Sequence, residues 1–198
     1  LDFFNVKVDI DLKVMGINQT LSELSAKILV NLDKVFKNYK PDYVYVHGDT
    51  TTSTISALAA FYNKFSVCHV EAGLRSNNKY SPFPEEMNRR LTSKIADYHF
   101  TPTKKATNNL ILEGVNSEKI FESGNTVIDA LQHALKVVDK NKYNLFFKKN
   151  NLEKNDNFIL LTIHRRENFG VKMLEICEAV KELSLKFKNY KFVFPVHL

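Results

Sequence analysis

The chain has 198 residues, 44% hydrophobic and 25% charged, an ordinary globular composition with room for one large domain or one and a half smaller ones. Its formal net charge is +6, but many lysines crowd into the Asn/Lys-rich residues 140–157, which read as solvated surface. That argues against nucleic-acid binding, which needs a concentrated basic face, and leaves room for a basic pocket that takes a small anion. The two cysteines, Cys68 in an apolar strand and Cys177 in a helical stretch, exclude a disulfide scaffold and have no zinc-ligand spacing. No apolar run is long enough to span a bilayer and no signal peptide is visible, so a cytoplasmic protein without a membrane partner is expected. The start, Leu1-Asp2-Phe3-Phe4, lacks a methionine and the end, Pro195-Val196-His197-Leu198, is apolar, so an internal piece of a longer chain is expected.

Residues 6–12 alternate apolar and polar positions and predict a strand or edge segment. Thr20 followed by Glu23 is the capping-box pattern that opens a helix. Leu21, Leu24, Ile28, Leu29, Leu32, Val35 and Phe36 then recur at helical spacing, up to a stop at Asn38-Tyr39-Lys40-Pro41. Residues 42–46 predict a short strand, His47-Gly48-Asp49-Thr50-Thr51-Thr52-Ser53 a tight polar turn, and residues 55–62 an alanine-rich helix. Gly48 permits the sharp turn, and the hydroxyls cap the helix beside its positive end. An isolated Asp49 is most simply a helix cap. However, the next apolar strand, residues 65–70, also runs into a carboxylate, Glu71. If the two strands are parallel neighbours, both acids reach one crevice at the carboxyl edge, where open α/β sheets hold ligands.

A loop with Pro82 and Pro84 leads to a helix predicted over residues 85–96, with Leu91 and Ile95 turned inward. Glu85 and Glu86 suit its first turn, and Arg89 and Arg90 stand at the spacing for pairing with them. A strand is predicted at 98–101, a helix at 103–113 ending at Gly114, and a brief strand at 120–121. Ser123-Gly124-Asn125-Thr126 opens a new segment, and a domain boundary is expected near Gly124. A helix at 127–138 then gives way to the low-complexity connection 140–157. A second unit follows: strand 158–163, the charged loop His164-Arg165-Arg166-Glu167-Asn168, helix 172–187 and strand 191–196. A histidine ending a strand before two arginines suits phosphate, whose oxygens match the guanidinium fork. Walker and Gly-x-Gly-x-x-Gly fingerprints are absent.

Five stretches in order resemble the non-hydrolysing UDP-N-acetylglucosamine 2-epimerases: His47-Gly48-Asp49-Thr50, Val70-Glu71-Ala72-Gly73-Leu74-Arg75, Pro84-Glu85-Glu86-Met87-Asn88-Arg89, Ser123 through Asp129, and His164-Arg165-Arg166-Glu167-Asn168. The resemblance implies an α/β protein of two Rossmann-like domains in the GT-B-like arrangement, truncated at both ends. Residues 1–124 would be the N-terminal domain without its first strand, and 125–198 the start of the C-terminal one. It implies interconversion of UDP-N-acetylglucosamine and UDP-N-acetylmannosamine for cell-surface polysaccharide, by loss of UDP to 2-acetamidoglucal and re-addition. By similarity Asp49, Glu71, Glu85 and His164 are catalytic, and Asp49, Glu71, His164 and Arg165 bind the UDP-sugar. Positioned carboxylates can move protons on the two faces of the sugar, while cationic groups hold the departing diphosphate. No metal and no cofactor are implied, and a homodimer is. Gln19 and His197 match residues of an activating second site in some members, although Asn18 stands where those members carry arginine. The family's opening Gly-Thr-Arg-Pro-Glu turn and its main uridine-binding segment have no counterpart here, so weak or no activity is expected of this chain alone. The alternatives are a hydrolysing epimerase that releases UDP and N-acetylmannosamine, and a non-catalytic sugar-nucleotide-binding fragment.

Overall fold

The computed structural model describes residues 2–153, 155–163 and 170–195. Their contacts group them into two compact units, Leu1–Ala130 and Leu131–Leu198. In the first, helix α1 (Leu21–Asn38) is followed by β1 (Tyr43–His47), α2 (Thr51–Tyr62), β2 (Ser66–Val70), α3 (Glu85–Ile95), β3 (Tyr98–Thr101), α4 (Lys104–Leu112) and β4 (Ile120–Glu122). Helix α5 (Thr126–Val137) runs across the division. The four strands form a parallel sheet in the order β1-β2-β3-β4.

The capping box forms as the sequence predicts: the Glu23 N–H donates to Thr20 Oγ1 at 3.2 Å, and the Thr20 N–H donates to Glu23 Oε2 at 2.8 Å. Helix α1 buries Ile28 and Phe36, and packs Leu29 and Leu32 against a core of Val46, Ala57, Ala59, Ala60 and Val67. The Phe36 ring meets Phe65 edge-on at 5.2 Å. Alanines suit α2 because it is wedged between α1, α3 and the sheet, where short side chains allow close approach.

Period-two alternation sorts the sheet residues by face. Val44, Val46 and Val67 pack on the helical side, where His69 and His99, register partners on β2 and β3, are also buried. Tyr43, Tyr45, Tyr98, Phe100 and Phe121 form a ladder of ring contacts on the other side.

Three expectations need correction. Residues 6–12 form no strand: no described strand offers them a ladder, and Val6, Val8 and Ile10 stay largely exposed. Leu91 is 49% exposed, because α3 turns a polar face inward, burying Glu86, Asn88, Thr92 and Ser93, while Ile95 does pack on the core. The stretch read as a structureless connection contains helix α6 (Lys140–Lys149), capped by Asp139, whose carboxylate accepts from the Asn141 N–H at 2.8 Å. Its lysines and asparagines obscured a one-turn aromatic pair, Tyr143 and Phe147, with ring centroids 4.4 Å apart. The second unit also holds β5 (Asn157–Leu160), α7 (Val171–Lys186) and β6 (Tyr190–Val193), with β5 and β6 parallel.

Candidate active site at the carboxyl edge of the first sheet

The site begins where β1 and β2 end side by side, His47 in register with Val70. Gly48 turns the chain with φ +71°. Its N–H donates to the Val70 carbonyl at 2.9 Å, and its own carbonyl lies 2.8 Å from His69 Nε2. Since a carbonyl only accepts, Nε2 carries the proton, and buried Nδ1 is left without a partner. Burial pushes the His69 pKa down to about 4 against the opposing Gly48 bond, with His99 and Arg75 adding to the fall. A neutral His69 therefore grips the turn that presents Asp49.

Asp49 is not the helix cap. Thr50 takes that role, its Oγ1 accepting from the Ser53 N–H at 3.1 Å. Asp49 is instead tied to α3: Asn88 Nδ2 donates to its carbonyl at 2.9 Å, and Arg89 Nη2 to its carboxylate at 2.5 Å. Thr54 and Thr92, hydroxyl to hydroxyl at 3.0 Å, fasten α2 to α3 directly behind.

Glu71 has φ +64°, a left-handed conformation that costs a residue with a side chain on the order of 1–3 kcal/mol and tends to persist at functional sites. Its Oε2 lies 3.7 Å from His47 Nε2, which also contacts Thr126 Oγ1 at 3.3 Å, at the start of α5. The loop beyond is anchored by the Ala72 N–H to the Phe100 carbonyl, 2.9 Å, and by Asn109 Nδ2 to the Gly73 carbonyl, 2.9 Å. Arg75, its side chain 2% exposed, makes a two-pronged contact to Glu113 at 2.7 and 2.8 Å. That guanidinium holds the Glu113 carboxyl below its ordinary pKa, against the effect of burial.

The two adjacent acids of α3 diverge. Glu86 is fully buried and accepts from the Ser76 and Asn77 N–H groups at 2.9 and 3.3 Å and from Arg90 Nε at 2.9 Å, with Arg89 Nη1 at 3.5 Å. Burial alone would raise its pKa, but the Ser76 amide and the two arginines outweigh that and lower it. Glu85 instead presents a buried Oε2 with no hydrogen-bond partner. One helical turn separates it from Arg89, so it shares the helix face that holds Asp49.

The first sheet thus brings Asp49 and Glu71 to neighbouring strand ends and sets Glu85 on the helix locked to Asp49. His164, Arg165 and His197 lie outside the described residues. Gln19 sits in the loop before α1, its Oε1 accepting from the Gly16 N–H at 3.0 Å. The pairing of Glu86 with Arg89 and Arg90 at helical spacing forms as the sequence predicts. Sequence reasoning missed the parts played by His47 and His69, the tie from Arg89 to Asp49, and the Arg75–Glu113 pair. His47 and His69 carry a signal of their own, each a histidine within two residues of a predicted strand-end acid. The Arg75–Glu113 pair, 38 positions apart, carries none. Among the described residues no group of three His, Cys, Asp or Glu side chains is arranged to hold a metal ion, and no helix is long and apolar enough to cross a membrane.

A family model described as UDP-N-acetylglucosamine 2-epimerase matches residues 1–198. The UDP-N-acetylglucosamine 2-epimerase of Bacillus subtilis strain 168 is 48% identical over 204 residues, covering 100% of this chain and 50% of the relative. The crystal structure of UDP-GlcNAc 2-epimerase from Neisseria meningitidis bound to UDP-GlcNAc superposes with a TM-score of 0.94 at 45% identity, covering 100% of this chain and 54% of that one. The Methanocaldococcus jannaschii UDP-GlcNAc 2-epimerase in complex with UDP-GlcNAc and UDP gives 0.83 at 38% identity, covering 97% and 51%. The chain therefore spans about half the length of the relatives it matches.

Proposed function

This chain belongs to the UDP-N-acetylglucosamine 2-epimerase family, and on that premise we propose that it carries the acid–base centre of a non-hydrolysing enzyme interconverting UDP-N-acetylglucosamine and UDP-N-acetylmannosamine. A carboxylate removes the proton at sugar C2. The C2 electron pair forms the C1–C2 double bond, and the C1–oxygen pair leaves with UDP. UDP then adds back at C1 as a proton returns to C2 on the opposite face. Asp49, Glu71 and Glu85 are the acid–base groups, since opposite faces need separately positioned carboxylates. His164 and Arg165 hold the diphosphate as charge develops on it.

What supports this reading above all is the pairing of Asp49 and Glu71 at the ends of adjacent parallel strands, with Glu85 on the helix that Arg89 ties to Asp49. A division into Rossmann-like domains at 1–124 and 125–198, a cytoplasmic homodimer, and weak activity of these 198 residues alone belong to the same proposal. So does an activating site at Gln19 and His197, which strictly hyperbolic kinetics would remove. The decisive experiment is turnover of a full-length protein carrying this chain in deuterated water. Deuterium at sugar C2 in the epimeric nucleotide is expected. Retention of the original hydrogen would refute the mechanism, and free N-acetylmannosamine would point to a hydrolysing enzyme.

A further inference from the structure

We infer that Arg75 and Glu113 act together as a positioning couple that keeps Glu71 in its left-handed conformation; the inference rests on the reading of Glu71 as an acid–base group. A residue with a side chain relaxes out of that conformation unless its surroundings hold it there. The loop after Glu71 is held along one face of α4. Gly73, φ +85°, lies so close to α4 that a Cβ would come within 2.3 Å of the Ala106 carbonyl oxygen. Asn109 donates to the Gly73 carbonyl, and Glu113, one helical turn further on, takes Arg75 through both prongs.

The rest of the guanidinium is also committed. Nη1 donates to the Leu74 carbonyl at 2.7 Å, and Nη2 to Ser93 Oγ of α3 at 3.1 Å. Arg75 thus ties the Glu71 loop to α4 and to α3, the helix that carries Glu85. Glu113 caps the C-terminal end of α4, where a negative charge opposes the helix dipole. The acid does nothing for α4 there, and its partner is the arginine of the loop. Lys94 Nζ, 2.8 Å from the Glu113 carbonyl, secures the same residue from α3. The hydrogen bonds of the Arg75 guanidinium go to Glu113, Leu74 and Ser93 and not to the candidate acids, so the couple acts through the loop.

The test uses a full-length protein carrying this chain, with Arg75→Lys, which keeps the charge and loses the fork, Glu113→Gln, and the double variant. Each single variant is expected to lower kcat by about 10- to 100-fold, the effect of an ångström-scale misplacement, with KM changed by less than about threefold. The double variant is expected to lose no more than the worse single one, because the pair acts as a unit. Glu113→Asp, which retains the charge, is expected to recover part of the rate. Unchanged kcat in folded variants, a loss confined to KM, or additive losses would overturn the inference. Amide hydrogen exchange is the second readout, independent of turnover and measurable in any variant that folds. The backbone N–H of Ala72, which donates to the Phe100 carbonyl, is expected to exchange about tenfold faster in Glu113→Gln, and unchanged exchange would overturn the inference. A wild-type protein that neither epimerises nor exchanges the C2 proton refutes the functional reading instead, and the amide measurement still judges the couple.

Discussion

Mild acid is expected to destabilise this protein through two histidines before its carboxylates matter. His69 and His99 are 0% and 1% exposed and stand in register on adjacent strands. Burial pushes each from the ordinary 6.5 down to about 4. Gly48 and Asp49 oppose the fall at His69 while His99 and Arg75 add to it; Ala96 and Asp97 oppose it at His99 while Arg75 adds to it. Because the folded value lies below the unfolded one, the unfolded chain binds more protons between pH 4 and pH 6.5. The stabilisation is thus complete above pH 6.5 and is lost as the pH falls toward 4. At 1.36 kcal/mol per pH unit the whole gap is worth roughly 3 kcal/mol per histidine, and about 2 of that is lost between pH 7 and pH 5. The pair together removes about 4 kcal/mol from a stability that is typically about 5–15 kcal/mol. Glu86 and Glu113 are held below the ordinary carboxylate value of 4.5, so the stability they add is lost only as the pH falls through and below that value. Urea unfolding at half-unit steps from pH 7 to pH 5 should give a limiting slope of about 2 kcal/mol per pH unit, roughly halved in His99→Gln. A slope below about 0.5, or one unchanged in a His69→Gln/His99→Gln double variant, would show the reasoning to be wrong.

Glu85→Gln and Glu86→Gln should separate chemistry from stability. The first is expected to lower kcat at least about 100-fold with little change in the unfolding midpoint. The second removes the charge that answers two arginines and is expected to cost about 3 kcal/mol by urea unfolding. Gly73→Ala adds a Cβ against the Ala106 carbonyl oxygen at a positive φ, and should lower stability by at least about 2 kcal/mol in the same assay. Leu110→Ala, at a fully buried position on α4, should cost about 2–5 kcal/mol. Asp49→Asn keeps the shape but not the charge facing Arg89, and should reduce turnover by about 100-fold or more while the protein stays folded.

Much of the first unit was legible because its signals are local. The capping box at Thr20, the strand at 98–101 and the acids at the ends of β1 and β2 all depend on residues a few positions apart. Most of the misreadings share a cause: they needed tertiary information. Residues 6–12 have a strand pattern but no partner strand among the described residues, and α3 buries a polar stripe that an apolar-period reading turns outward, so Leu91 was set on the wrong side. Which of two adjacent glutamates is spoken for depends on the Ser76 and Asn77 amides, about ten positions upstream. The lysine-rich composition of 140–149 hid a helix whose aromatic spacing was present all along.

The interior lodging of Glu86 has a mechanical corollary. Donors from the preceding loop and from the following helical turn grip one carboxylate, so α3 cannot roll about its axis without stranding a charge away from water. The helix works like a shaft keyed at a single angle.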